Sequence, residues 1–454
     1  MNNSSNGTEH PADSSGKLLR ILGVGFGLAI VIGGTVGVGI LRSPGPIAEQ
    51  LGSVWLIMLA WLLGGVYALL GANYLAELAT AIPKAGGYFV YAHRAYGPFG
   101  GFLVGWSDYL YHNLGLAFIA VVFGEYAVSL FGLEFSGARV IVSLSVLVVL
   151  AILNWIGLRS GSATQKLTSL IKCAALFAFV AACFIHGGQA TPSNAAATTS
   201  LASPVAAFVA FVLAFQLVLS TYDGWHSAIY FTEEDADPGQ NLPRSMFGGI
   251  VIIIAIYLLV NAALMYALPM SQLAGSQFAG GDAISTMFGA RGGQIVTIMA
   301  LLSLIGILNA ILMMCPRMLL ALGREGLFTA KAAEVNSGGT PGFALVVAAS
   351  TAILFSAIGT FEILLAVSQF FAVVITILLI LALFILRRRE PDLPRPYRAW
   401  GYPFAPLLML VGSVLLFFGY IYSNPQPSLY ALAVLVMTYP VFRLVKKKSA
   451  DAEI

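Results

Sequence analysis

The residues most able to do chemistry lie inside apolar segments. The first such stretch is Ile32-Gly33-Gly34-Thr35-Val36-Gly37-Val38-Gly39-Ile40-Leu41. Its glycines are dense, and each costs a helix about 1 kcal/mol relative to Ala. A helix opened within lipid frees N–H and C=O groups that hydrocarbon cannot bond, so protein or a wet cavity must satisfy them. The two half-helix ends carry opposite partial charges and together suit a ligand bearing both signs. Close helix–helix packing is the other reading of such glycines. A second interruption, Ser220-Thr221-Tyr222-Asp223-Gly224-Trp225-His226, sits deep in the sixth apolar segment. Asp223 could face a substrate amine, or hold unwound backbone by local hydrogen bonds. His226 is either a pH-dependent group or a neutral hydrogen-bonding ring. Lys172 is the one lysine within an apolar span, a functional position by default. It reads as a proton carrier or as a fixed cation. Asp108 and His112 are four residues apart, on one helix face, and form a candidate proton relay or an ordinary buried pair. Glu77 and Glu125 read as structural.

These residues need spanning elements to position them. The chain has 454 residues, 59% hydrophobic and only 9% charged, against about 25% charged in soluble domains. That composition marks a multi-pass membrane protein. A spanning helix needs roughly 20 apolar residues. Twelve segments qualify: 18–49, 53–80, 98–131, 138–158, 165–186, 204–232, 245–268, 293–322, 342–359, 361–386, 403–423 and 428–445. With a cytoplasmic N-terminus, 19 of the 23 basic residues fall in loops on the inner side, as the positive-inside rule demands. An even number of spans returns the C-terminal lysines to the cytoplasm. The interruptions occupy corresponding positions five segments apart, which points to an inverted-repeat transporter with a midplane site. Residues 17–187 then form the first repeat and 204–390 the second. Residues 403–445 add two further helices, and 1–16 and 446–454 are polar cytoplasmic tails. The localisation implied is the cell's inner (plasma) membrane.

Other functions find little support. The five histidines are scattered, and no metal, phosphate-cradling or nucleophile-elbow motif occurs. Cys173, Cys183 and Cys315 lie inside apolar segments and read as core residues rather than disulfides or metal ligands. No enzyme, cofactor, metal or nucleic-acid partner is expected. The expected partners are a small-molecule substrate and membrane lipid, with the chain a monomer or homodimer. No signal-peptide pattern opens the chain. Asn3 and Asn6 match the glycosylation pattern but fall in the tail read as cytoplasmic. A polyamine or amine carrier, a channel or a membrane receptor remain the rival classes.

Several motifs occur together in order. They are Gly34–Leu41; Ala76-Glu77-Leu78-Ala79-Thr80-Ala81-Ile82-Pro83-Lys84-Ala85-Gly86-Gly87-Tyr88; Tyr222-Asp223-Gly224-Trp225; Glu233-Glu234; Asn241-Leu242-Pro243-Arg244; Leu308-Asn309-Ala310; Arg324-Glu325-Gly326-Leu327; and Pro391–Arg398 followed by Gly401-Tyr402-Pro403. On these the chain resembles the amino acid–polyamine–organocation superfamily of permeases, near bacterial members of the L-type amino acid transporter branch. The resemblance implies an all-α membrane fold of twelve helices. That fold is a 5+5 inverted repeat plus two helices, with the first and sixth spans discontinuous. It implies secondary amino acid transport by alternating access, sodium-independent, as proton-coupled uptake or exchange. Carried onto this chain, the substrate-binding positions are Thr35, Val36, Gly37, Val38, Gly39, Ser220, Thr221, Tyr222 and Asp223. The substrate carboxylate would meet N–H groups of Gly37, Val38 and Gly39, and its amine the carbonyls near Thr35 and Ser220. Lys172 resembles the fifth-helix lysine that stands where relatives hold sodium. Asp108, His112 and His226 are candidate relay residues. Two departures stand out: Val38 replaces the family's serine, and Ser220 replaces a bulky aromatic gate. In the eighth helix Met314-Cys315-Pro316 replaces a Ser/Thr-rich run, and Pro316 is expected to kink it.

Overall fold

A backbone that cannot bond to solvent must bond to itself, and this chain does so in helices. The computed structural model describes residues 18–188, 204–358 and 361–452. Its helices are α1 (Val24–Thr35), α2 (Gly39–Arg42), α3 (Pro44–Leu51), α4 (Val54–Ala81), α5 (Tyr88–Phe131), α6 (Ala138–Ile156), α7 (Leu158–His186) and α8 (Pro204–Tyr222). They continue as α9 (Pro238–Ala267), α10 (Met270–Ala274), α11 (Ala279–Phe288), α12 (Ala290–Arg324), α13 (Gly342–Ile358), α14 (Phe361–Arg389), α15 (Phe404–Ser423) and α16 (Pro425–Ala452). Short 3-10 turns run over Ser227–Phe231 and Ala330–Ala333. Among the described residues there is no strand, only an isolated bridge between Leu22 and Asp235. The tail 1–16, with its two asparagine motifs, and most of the 187–203 loop lie outside the described residues.

Among the described residues, eleven helical stretches are long and apolar enough to cross a membrane. The segment expected over 342–359 is α13, which at 17 residues is shorter. Three starts differ from expectation for local reasons. Helix α9 begins at Pro238 rather than 245, because the Asp237 side chain caps the Gln240 N–H and Pro238 takes the first turn. Helix α7 begins at Leu158 rather than 165, directly after Gly157 at φ 148. Helix α5 begins at Tyr88 rather than 98, with a bend at Gly97 (φ 81) before Pro98. A short helix before the bend is thereby joined to the span. The expected polar loop 271–292 contains α10, α11 and the first turn of α12. Helix α12 runs through Pro316 without a break.

Helix α1 sits at the centre, packed by α7, α9 and α12. Its buried residues include Phe26, Ile30, Val31 and Ile32, as suits a helix apolar all round. Helices α15 and α16 lie at the edge and present Leu415, Phe418, Leu432 and Val436 outward. Ion pairs gather at the end that the loop charges assign to the cytoplasm. Glu234 binds Arg317 at 2.8 Å with both side chains buried. Glu233 binds Arg324 at 2.8 Å, and Arg94 binds Glu390 at 2.6 Å. The hydrogen bonds from Arg94 hold the Glu390 carboxyl below the usual carboxylate range. Glu77 pairs with Arg387 and Arg395 and accepts the Ala399 N–H, which suits its structural reading. Glu125 meets Arg139 at 3.4 Å on the exposed opposite end.

Candidate functional site

Helix α1 ends at Thr35, Val36 is extended (φ −73, ψ 106), and helical backbone resumes at Val38. It continues through α2 and Ser43 into α3. Helix α8 ends at Tyr222, and Gly224 has φ 111 before the Ser227–Phe231 turn. Each end frees carbonyls that side chains from other helices take up. Lys172 Nζ on α7 donates to Gly33 O at 2.8 Å. One turn earlier, inside α1, Ser169 Oγ also donates to Ala29 O at 2.8 Å. Ser303 Oγ on α12 donates to Val36 O at 3.2 Å. The Tyr257 hydroxyl on α9 lies 3.2 Å from Thr35 O and 2.8 Å from Thr221 O, so its single proton ties both interruptions together. Freed carbonyls at these helix ends are thus met by protein, as lipid depth requires.

The glycines allow close approach. A Cβ on Gly33 would come within 2.2 Å of Gln165 and Ser169, and one on Gly37 within 2.5 Å of Ile307. Neither residue has a left-handed φ. Gly224 needs both freedoms. At φ 111 its Cβ would stand 2.5 Å from Gly34 O, where the two interruptions touch. Gly224→Ala is therefore expected to destabilise the protein by roughly 1–3 kcal/mol through strain alone. Gly25→Ala, with nothing within 4 Å, should leave stability near wild type. Thermal unfolding in detergent compares the two, and equal melting of both variants would contradict this account.

A cavity of about 370 Å³ lies between the interruptions. Of the expected substrate-binding positions, Thr35, Gly37, Val38, Gly39, Ser220, Thr221 and Asp223 line it, as do His112 and His226. Val36 does not, being fully buried. Tyr222 turns away, its ring between Trp61 and Tyr257 and its hydroxyl donating to Trp61 O at 3.0 Å. Lys172 and Asp108 stand behind the wall. Thr35 Oγ1 is buried without a hydrogen-bond partner, and the N–H groups of Gly37, Val38 and Gly39 make no hydrogen bond among the described residues. The cavity extends toward Arg42, Pro46 and Gln277 at the end read as external.

Asp223 holds the local backbone, and its carboxylate also reaches the cavity. One carboxylate oxygen accepts the Gly224 N–H at 3.0 Å, which fixes the local turn. The other accepts the Tyr111 hydroxyl and, at 3.4 Å, the Gln369 amide. Its side chain is 26% exposed and faces the cavity. Tyr111, Asp223, His226 and Gln369 also border a smaller cavity of about 70 Å³ toward α4 and α15. Asp108 accepts the Tyr230 hydroxyl at 2.9 Å and lies 3.0 Å from His112 Nδ1. Gln369, Tyr111, Tyr257 and Ser303 were not singled out from the sequence. Gln369 is a lone amide in the tenth apolar segment, which is a usable signal. Tyr257 lies in an aliphatic run and offers none.

The family described as amino acid permease matches residues 27–441. The serine/threonine exchanger SteT of Bacillus subtilis (strain 168) is 29% identical over 96% of this chain and 98% of its own. The b(0,+)-type amino acid transporter 1 of Homo sapiens is 28% identical over 90% of this chain and 84% of its own. The Asc-type amino acid transporter 1 of Mus musculus is 29% identical over 94% and 81%. These relatives are transporters rather than enzymes, they cover almost the whole chain, and the cavity lies between the motifs that carried the resemblance. The chain belongs to the amino acid permease family.

Proposed function

We propose that this permease moves amino acids by alternating access, independently of sodium, as proton-coupled uptake or as exchange. The observation that carries the reading is the shared cavity between Gly37–Gly39 and Ser220–Gly224. The unbonded N–H groups there begin a helical run, whose partial positive end favours the substrate carboxylate. The unpartnered Thr35 hydroxyl offers a further polar contact. In this reading α1 with α2, and α8 with the following turn, are discontinuous spans of a twelve-helix, 5+5 inverted repeat. Residues 17–187 and 204–390 are its halves, and 403–445 adds two helices. Both termini are cytoplasmic, the membrane is the inner (plasma) membrane, and the protein is a monomer or homodimer. Lys172, bonded to Gly33 O beside Gly306, supplies a positive charge where a sodium ion would otherwise be needed. That supports sodium independence. A substrate that binds both interruptions shifts the balance between outward and inward states.

A second reading, an amine carrier, is favoured by Asp223. Its only basic neighbour within 4 Å among the described residues is His226, so a substrate ammonium would fit beside it. Labelled amino acids are offered to proteoliposomes with and without sodium, a proton gradient or internal amino acid, with putrescine as competitor. Saturable uptake blocked by neutral amino acids and indifferent to sodium is expected. Uptake blocked only by amines would replace the first reading with the second, and unsaturable flux would indicate a channel.

A further inference from the structure

Two imidazoles meet in the cavity wall. His112 Nε2 on α5 and His226 Nε2 beyond α8 are 3.3 Å apart, and both rings line the cavity. The other partners fix the tautomers. His112 Nδ1 lies 3.0 Å from the Asp108 carboxylate and 3.0 Å from the Asp108 carbonyl. Both are acceptors, so His112 carries its proton on Nδ1. Its Nε2 is then a lone pair. The contact with His226 is a hydrogen bond only if His226 carries its proton on Nε2. That leaves His226 Nδ1 as the pair's one free basic site, and it points to Asp223 Oδ1 at 3.9 Å.

An added proton therefore binds His226 Nδ1. The bridging proton can then pass from His226 Nε2 to His112 Nε2, which places the positive charge beside Asp108 without moving a ring. A second proton would set two N–H groups against each other at 3.3 Å. Apart from Asp108, Asp223 and Arg42, which lines the same main cavity, the groups around the pair are phenols, an indole, a thiol or neutral amides. Helix α5 presents Tyr88 and Tyr111, and the Ser227–Phe231 turn presents Tyr230. Helix α12 brings Cys315, bonded by Asn113, and α14 brings Gln369 to Asp223. Tyr67 of α4 and Tyr420 of α15 line the smaller cavity behind His226. No lysine or arginine side chain lines that smaller cavity, among the described residues.

We propose that His112 and His226 form a single-proton binding site whose proton competes with the substrate ammonium for Asp223. This rests on the transport reading above, which places that ammonium at the same interruption. A proton on His226 Nδ1 sets an N–H toward the Asp223 carboxylate and offsets the negative charge that would otherwise help hold the substrate's positive end. Acid should thus weaken binding.

The test measures binding of labelled L-threonine, L-alanine and L-serine to the purified full chain in detergent, from roughly pH 8.5 to pH 5.5, the range in which imidazoles titrate. For the wild type, apparent affinity should fall about fivefold or more on acidification. His226→Asn, which keeps a hydrogen-bonding side chain but takes no proton, should bind with an affinity that stays flat within about twofold across the range, whatever its absolute value. His226→Gln serves the same purpose if the first variant does not elute as a single species. A flat wild-type profile, a rise in affinity with acid, or an unchanged profile in His226→Asn would each overturn the proposal. Proton uptake over the same pH range gives a readout free of substrate. The wild type should take up one proton more than the double variant His112→Asn/His226→Asn, and a difference of zero or two would overturn the shared site. Should the wild type bind no amino acid at any pH, the transport reading fails, and the proton count still decides the site.

Discussion

Lys172→Ala is expected to lower substrate transport by roughly 10- to 100-fold while the protein still extracts and elutes as a folded species. The ammonium is the hydrogen-bond donor to Gly33 O at 2.8 Å, a carbonyl freed because α1 ends two residues later. Without it a buried acceptor goes unmet, at a cost of about 1–3 kcal/mol. That cost falls on the geometry of one interruption, because the rest of α7 keeps its packing and Ser169 keeps its bond to Ala29 O. An error of that size in the population of the binding-competent state corresponds to the stated loss, since about 1.4 kcal/mol is tenfold. Lys172→Met, of similar length but without a donor, should behave like the alanine variant. The measurement is uptake in proteoliposomes at several pH values. Normal pH-dependent uptake by Lys172→Ala would remove Lys172 from the mechanism.

Arg317→Ala is expected to be the most destabilising single substitution at the end that the loop charges assign to the cytoplasm. Arg317 and Glu234 are 2% and 0% exposed and form a two-point pair at 2.8 and 3.2 Å. The guanidinium also donates to Met313 O at 2.7 Å and lies over the Phe231 ring. Removing it strands a buried carboxylate, which costs about 3–5 kcal/mol. Exchanging both partners for apolar residues of similar size removes the charges together and often costs little. Arg317→Met with Glu234→Leu should therefore regain most of the lost stability. Thermal unfolding of the single and double variants checks this, and a double variant as unstable as Arg317→Ala would show that packing, not the stranded charge, sets the cost.

Much of the site was legible because hydropathy, glycine density and charge placement are local properties. Gly33 to Gly39 and Ser220 to His226 stood out as polar or flexible runs where lipid depth demands continuous helix. Lys172 stood out because a lone ammonium in an apolar run is costly. Neighbouring positions were harder to separate. Val36 and Tyr222 lie within these stretches yet face away from the main cavity, since each sits beside residues pointing in several directions around an irregular backbone. The α7 and α9 starts were misplaced because Gly157 and Asp237 act through turn and cap geometry, which polarity alone underweights. Pro316 lies within α12 without ending it, because neighbouring helices hold the bundle around it.

By itself the sequence determined the membrane class, the apolar segments, the basic loops and the two places where regular helix is under strain. These follow from the cost of moving charges and free backbone groups out of water, which is settled residue by residue. Only the tertiary structure decided which groups answer that strain. Lys172 reaches Gly33 across 139 residues of chain, Tyr257 reaches Thr35 across 222, and His226 meets His112 across 114. Such pairings depend on the rotation and depth of separate helices, and those are set by the packing of whole faces rather than by any local run of residues.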